Sequence, residues 1–166
     1  IWFKERIAKK CFENSTSILP ICKYLENKVK EHFPEKKTDV LYQGIEPSNW
    51  YYQKGLNLKH PCVGLLQNAD IFEKAKELEI LPKVLEAFPK VMFYWVGDGP
   101  YKETILSKLE KYENFKWLGK LEYPEKVRQF LSAIDIYALL TGIDMSPLTL
   151  QEAQLMKKPV IATNVG

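Results

Sequence analysis

Two carboxylates near the end of the chain, Asp144 and Glu152, stand eight positions apart, with Ser146-Pro147-Leu148-Thr149 between them. Ser146 and Pro147 predict a helix start: serine is a good N-cap, and proline in the first helical position has no amide hydrogen to leave unpaired. The free backbone amides of a helix start make an anion site. Carboxylates accept hydrogen bonds from hydroxyls, so the arrangement suits a molecule with sugar hydroxyls at one end and a phosphate at the other. A second stretch, Val96-Gly-Asp-Gly-Pro-Tyr101, follows an apolar run. Gly97 and Gly99 permit a tight turn and close approach of backbone to a ligand. The turn serves either chain geometry alone or ligand lining, and without a third glycine it is not read as a nicotinamide site.

Other chemistries lack their residues. No Asp-x-Asp pair is present to hold a divalent cation, and no cluster of His or Cys has metal-ligand spacing. His32 and His60 fall in an opening helix and a linker, and Cys11, Cys22 and Cys62 have no CxxC spacing and are expected to have no histidine partners, so they are read as reduced cytosolic core residues without metal or redox work. No Gly-x-Ser-x-Gly elbow or Walker lysine loop occurs. A net charge of +3, with lysines interleaved among glutamates, does not argue for a nucleic-acid partner.

The elements that must position the two stretches follow from periodicity. The chain has 166 residues, 46% of them hydrophobic, enough for a buried core. No run approaches the roughly 20 apolar residues of a membrane helix, and there is no signal-peptide pattern. Since the chain starts at Ile1, it is expected to be an excised piece of a cytoplasmic protein. Residues 1–11 have helical spacing with Trp2, Phe3, Ile7 and Cys11 on the less polar side. Such a basic helix could touch an anionic membrane surface, but an ordinary amphipathic helix packed on its neighbour is the favoured reading. A strand is expected over 16–21, a helix over 23–33 and a strand over 39–45. Residues 47–60 carry turn formers and make the linker, expected to be packed because Trp50, Tyr51 and Tyr52 need burial. Beyond it strand and helix alternate: strands over 62–67, 91–96, 115–118, 136–139 and 160–163, helices over 74–88, 101–112, 124–133 and 148–157. That alternation predicts an α/β fold, a Rossmann-like, doubly wound, mainly parallel sheet with both faces covered. Leu148, Ala153, Leu155 and Met156 predict the packed stripe of the last helix, and Val160-Ile161-Ala162 a buried strand.

Asp144-Met-Ser-Pro-Leu-Thr-Leu-Gln-Glu-Ala153, followed by Pro159-Val-Ile-Ala-Thr163, resembles the Glu-x7-Glu signature of family 4 (group 1) retaining glycosyltransferases of the GT-B fold. Asp144 stands for the first Glu and Met145 for the usual Gly. The Gly97-Asp-Gly-Pro turn and Leu118-Gly119-Lys120-Leu121 are similar to the family's turns after its second and third strands. Val63-Gly-Leu-Leu66 resembles its Val-Gly-Arg-Leu, with Leu65 where a phosphate-binding Arg is usual. Residues 39–46 are similar to the end of the family's first domain, with Gln43 and Glu46 replacing Asn and Asp.

The resemblance implies one half of a GT-B enzyme: 1–46 closing the N-terminal acceptor domain, 47–60 the linker, and 61–166 the nucleotide-sugar donor domain, cut short at its C-terminus. It implies retaining transfer of a hexose from a nucleoside-diphosphate sugar to a hydroxyl of a glycan, lipid or other acceptor, with no metal or other cofactor. Glu152 would hold the ribose hydroxyls and Asp144 those of the transferred sugar. The amides of Ser146, Pro147, Leu148 and Thr149 together with Lys76 (Lys74 second) would hold the diphosphate. Gly97 and Gly99 would line the donor, and backbone at Lys120 and Leu121 would hold the base. Asp135 is given a structural role. The fragment alone is expected to bind a nucleotide without transferring sugar. Two alternatives stay open: a nucleotide-sugar epimerase of related fold, and a binding module that has lost catalysis.

Overall fold

The computed structural model describes residues 2–165, and for Trp2, Phe3 and Lys74 the backbone alone. The expected side-chain placement of Trp2 and Phe3 lies outside the described residues. Two compact units separate at residue 44.

In the first unit, α1 (Trp2–Asn14) and α2 (Lys23–His32) are joined by Phe12 stacked on Phe33 at 5.3 Å. The packing of α1 runs through Phe12, for Ile7 and Cys11 are exposed rather than covered. Lys36 Nζ caps α1 by donating to the carbonyls of Glu13 and Ser15. The strands expected over 16–21 and 39–45 do not form. One parallel bridge between Ile18 and Thr38 replaces them, since a strand needs a partner row of backbone groups and this segment offers a single position. Buried Glu26 organises the unit: its carboxylate accepts from Lys23 at 2.5 Å, Lys30 at 3.0 Å and the Thr38 hydroxyl at 2.9 Å. Those bonds, that of Lys23 foremost, hold its pKa down to about 2.

In the second unit, β1 (Cys62–Leu66), β2 (Met92–Val96), β3 (Phe115–Trp117), β4 (Ile136–Leu139) and β5 (Val160–Ala162) form one parallel sheet in the order β3-β2-β1-β4-β5. Right-handed crossovers in the β1-to-β3 direction put helices on one face, and the return through β4 and β5 puts them on the other. The cores divide accordingly. On one side α3 (Phe72–Lys76), a 3-10 turn over Glu77–Ile80, α4 (Leu81–Ala87) and α5 (Lys102–Leu109) cover Val63, Leu65, Phe93 and Trp95. On the other, α6 (Glu125–Ala133) and α7 (Leu148–Leu155) cover Leu66, Tyr94, Val96 and Tyr137. The α6 pattern is legible: Val127, Phe130, Leu131 and Ile134 recur at helical spacing, and all are buried. The single helix expected over 74–88 is instead broken in three.

Trp50 is buried in the second core, while Tyr51 and Tyr52 are exposed; the Arg128 guanidinium lies 4.1 Å over the Tyr51 ring. Two expectations about the last helix and strand are corrected. On α7, Ala153 and Met156 are buried but Leu148 and Leu155 are exposed, and Leu150 packs in their stead. β5 is an edge strand with all three residues exposed, Ile161 at 55%, because no described element covers its face there. Lys157, in the left-handed region at φ 57°, ends α7. The Lys157 amide returns to the Gln154 carbonyl and the Lys158 amide to that of Ala153, closing the helix as glycine usually does. Among the described residues no helix is long and apolar enough to cross a membrane.

Candidate functional site

The strand order reverses between β1 and β4, and ligands of open α/β sheets bind outside the carboxyl ends of the strands at such a point. Two adjoining cavities lie there. The first, about 320 Å³, is bounded by the end of β1, the loop 67–71, Thr141, Asp144 and Ser146 to Thr149. The second, about 220 Å³, is lined by Val96, Gly97, Lys120, Leu121, Tyr123, Val127 and Glu152. Leu66, Gln67, Asn68 and Thr149 border both, so the two make one cleft around the start of α7. Its volume is within the small-molecule range of roughly 300–1,000 Å³.

The loops of the cleft are held by side chains of the sheet. The Trp95 indole N–H donates to Gln67 O and that of Trp117 to Gly97 O, each at 2.9 Å. Gln67 Nε2 donates to Leu140 O at 2.9 Å, joining the loops after β1 and β4. The Tyr137 hydroxyl donates to Thr149 Oγ1 at 2.7 Å, which pins the first turn of α7 onto β4. Burial, with the negative charges of Glu152 and Asp144, pushes Tyr137 far above the usual phenol range, so it stays a donor. Thr163 Oγ1 donates to Thr141 O at 2.6 Å and ties the loop before α7 to the end of β5.

Glu152 is the outlying polar group. It is 2% exposed, on the second turn of α7. Its Oε1 accepts from the Tyr123 hydroxyl at 3.1 Å, and its buried Oε2 has no partner among the described residues. Burial raises its pKa above the ordinary carboxyl value, with the Tyr123 bond acting the other way. A buried carboxylate oxygen without a donor costs about 1–3 kcal/mol or more, and this residue lines the second cavity. Asp144 is half-buried at the first cavity.

The other expected residues distribute unevenly. Ser146, Pro147, Leu148 and Thr149 border the first cavity, and Gly97, Lys120 and Leu121 the second. The helix begins later than expected: the N-cap is Pro147, not Ser146, and no side chain caps it. Proline in the cap position holds extended backbone, and the first helical amide is that of Leu148. Gly99 lines neither cavity. A Cβ there would stand 2.5 Å from Ala69 O, and one on Gly97 2.1 Å from Gln67 O. Both glycines thus let the turn close on the neighbouring loop, and Gly97 lines the cleft besides. Asp98 accepts from the Gly99 amide at 2.8 Å and from Lys102 at 3.0 Å, which lowers its pKa.

Lys76 is the last residue of α3, not the opening of a helix, is exposed, and borders neither cavity. Lys74 is nearer the start of α3, and its side chain lies outside the described residues. Leu65 is fully buried against α3, α4 and α5, so it fills core where a cation was the family's pattern. Among the described residues lining the cleft, Lys120 is the cation. Sequence reasoning missed Gln67, Asn68 and Tyr123. The first two directly follow β1, a position the switch-point rule singles out. Nothing local marks Tyr123.

The absence of a histidine beside the cysteines is overturned. Cys62 Sγ lies 3.6 Å from His60 Nδ1, and both meet Asp135, whose Oδ2 accepts from the Cys62 amide at 2.7 Å. The Asp135 carboxylate thus has the His60 ring and the Cys62 amide as partners.

Comparison with known proteins agrees with the fold. The Escherichia coli O-antigen biosynthesis glycosyltransferase WclY is 20% identical over 137 residues, which is 80% of this chain and 39% of WclY. A point mutant of S. aureus TarM, solved with fondaparinux, alpha-GlcNAc-glycerol and UDP, superposes with a TM-score of 0.78 at 17% identity, over 95% of this chain and 32% of TarM. Anabaena HepE, solved with UDP and glucose, superposes at 0.70 and 16% identity, over 92% of this chain and 45% of HepE. The chain thus spans less than half the length of these relatives. Residues 63–166 match the family model described as glycosyl transferases group 1, and the chain belongs to that family, as part of its GT-B fold.

Proposed function

We propose that this chain is the donor half of a retaining hexosyltransferase and holds a nucleoside-diphosphate sugar across the start of α7. The observation that carries the proposal is Glu152, a buried carboxylate with an unpartnered Oε2 at the cavity wall. Two adjacent ribose hydroxyls supply the missing donors. The nucleoside then occupies the second cavity, where Val96, Leu121 and Val127 give apolar lining and the Lys120–Leu121 backbone meets the base. The diphosphate lies at the amides of Leu148 and Thr149, with Lys120 as the nearby cation, and Lys76 is left without that task. The hexose occupies the first cavity, with Asp144 accepting from its hydroxyls.

Charge builds on the diphosphate as the glycosidic bond breaks, so preoriented amides at the helix start do the chemical work assigned to this half. The complexes of TarM and HepE contain UDP, which supports a nucleotide in the equivalent cleft here. In this proposal the acceptor hydroxyl and the remaining catalytic groups belong to the other half of the GT-B enzyme, which works in the cytoplasm.

Buried Leu65, in place of the cation, favours a second reading: a module that binds the donor without transferring from it. Calorimetric titration of the chain with UDP, ADP and GDP and their sugars tests the first claim, and no binding of any of them refutes it. Product analysis with the whole enzyme and a hydroxyl acceptor separates transfer from mere binding. Multiple turnover by this chain alone would refute the division of labour.

A further inference from the structure

At the opposite, amino-terminal edge of the sheet, three ligand-type side chains converge. Val63 pairs with Ile136 across β1 and β4, so Cys62 and Asp135 are neighbours on adjacent central strands. The Asp135 amide donates to Cys62 O at 3.2 Å, and the Cys62 amide donates to Asp135 Oδ2 at 2.7 Å. His60, just before β1, places Nδ1 2.9 Å from Asp135 Oδ2 and 3.6 Å from Cys62 Sγ. One ligand atom from each residue lies within 4.8 Å of the other two.

A Cys, a His and an Asp could also make a nucleophile with its base and orienting acid. The geometry opposes that, because the same ring nitrogen faces both thiol and carboxylate, and no proton can pass through the ring from one to the other. The thiol is also buried, and burial pushes it up to about 11. Atoms converging on a common point are what a cation requires. Around zinc, bonds of about 2.0–2.3 Å set tetrahedral neighbours roughly 3.3–3.6 Å apart. The thiol–imidazole separation already falls there, and the imidazole–carboxylate pair needs to open by a few tenths of an ångström.

We propose that His60 Nδ1, Cys62 Sγ and an Asp135 carboxylate oxygen bind a divalent ion of zinc's type, tetrahedrally, with water in the fourth position. Thiolate, imidazole and carboxylate together suit zinc better than magnesium or calcium, which prefer oxygen alone. The thiol proton leaves to solvent as the ion binds, and thiolate and carboxylate then cancel the ion's two charges. The Cys62 amide orients the carboxylate, as outer hydrogen bonds do in metal sites. His60 and Asp135 are half-exposed, which leaves the ion a way in. The nearby cation, Lys158, directs its ammonium at the carbonyls of Ser132 and Ile134, and its charge moderates the affinity. The ion ties the segment before β1 to the starts of β1 and β4, far from the cleft, so its work is structural.

Cobalt(II) is the probe. Titrated into the chelator-treated, reduced chain, it should give a thiolate-to-cobalt charge-transfer band at one equivalent, displaced by zinc. Cys62→Ser should abolish the band, while Cys11→Ser and Cys22→Ser keep it. His60→Ala, at an exposed position and checked by circular dichroism, should lower cobalt affinity by about tenfold or more. It decides the matter should Cys62→Ser fail to fold. Absence of the band, its survival in folded Cys62→Ser, or unchanged affinity in His60→Ala would overturn the site.

Discussion

Glu152→Gln alters a single buried group, and the structure sets opposite signs for its two effects. Oε1 is engaged by Tyr123 and Oε2 has no partner, so the charge is uncompensated until a ligand arrives. A carboxyl whose folded pKa is raised contributes stability while protonated, fully below the unfolded value near 4.5, and loses it as pH rises through the folded value. At neutral pH Glu152 therefore destabilises the ligand-free chain. Glu152→Gln should unfold at a higher temperature than wild type at pH 7, and the two midpoints should draw together below pH 4.5. Binding moves the other way. The amide keeps one oxygen, which Tyr123 occupies, and presents a neutral group to the ribose hydroxyls. Losing one charge-assisted hydrogen bond costs about 1.5–3 kcal/mol, roughly a 10- to 100-fold fall in affinity. Titration calorimetry with UDP, ADP and GDP, beside scanning calorimetry at pH 7 and pH 4, reads both. Unchanged nucleotide affinity together with a lower unfolding temperature would refute the reasoning and make Glu152 a structural residue.

Gly97→Ala should destabilise by about 2 kcal/mol or more, since its φ is +154° and the new Cβ would stand 2.1 Å from Gln67 O; urea unfolding measures it, and a neutral result would deny the close packing of the two loops. Lys120→Ala should weaken UDP about fivefold but uridine little, with added salt narrowing the gap, whereas Lys76→Ala should change neither; equal losses for UDP and uridine in Lys120→Ala would remove Lys120 from the diphosphate. Glu26, depressed to about 2, contributes stability above its unfolded value near 4.5 and loses it as pH falls toward 2. Glu26→Gln should therefore lower the unfolding midpoint at pH 7 and flatten its fall between pH 4.5 and 2, and parallel acid profiles would contradict the role given to that carboxylate.

What the sequence by itself determined is local. Alternating strand and helix from Cys62 to Ala162 was legible because hydrophobic periodicity and breakers report the nearest few residues, and β4 falls at its expected bounds. The start of α7 and the position of Glu152 within it were legible for the same reason, to within a residue or two. Tertiary structure decided which carboxylate oxygen is left without a donor, since that depends on Tyr123 reaching Glu152 across 29 positions of chain. It also decided which core each residue enters, Leu65 on one face of the sheet and Leu66 on the other, where Leu66 also borders the cleft. The strands expected in the first unit failed for want of partners, and β5 stayed exposed for want of a covering element. His60, Cys62 and Asp135 meet because the register of β1 on β4 brings together residues 73 positions apart. His60 and Cys62 are neighbours in sequence, but no local pattern encodes their meeting with Asp135, because each strand acquires its neighbours only when the sheet closes.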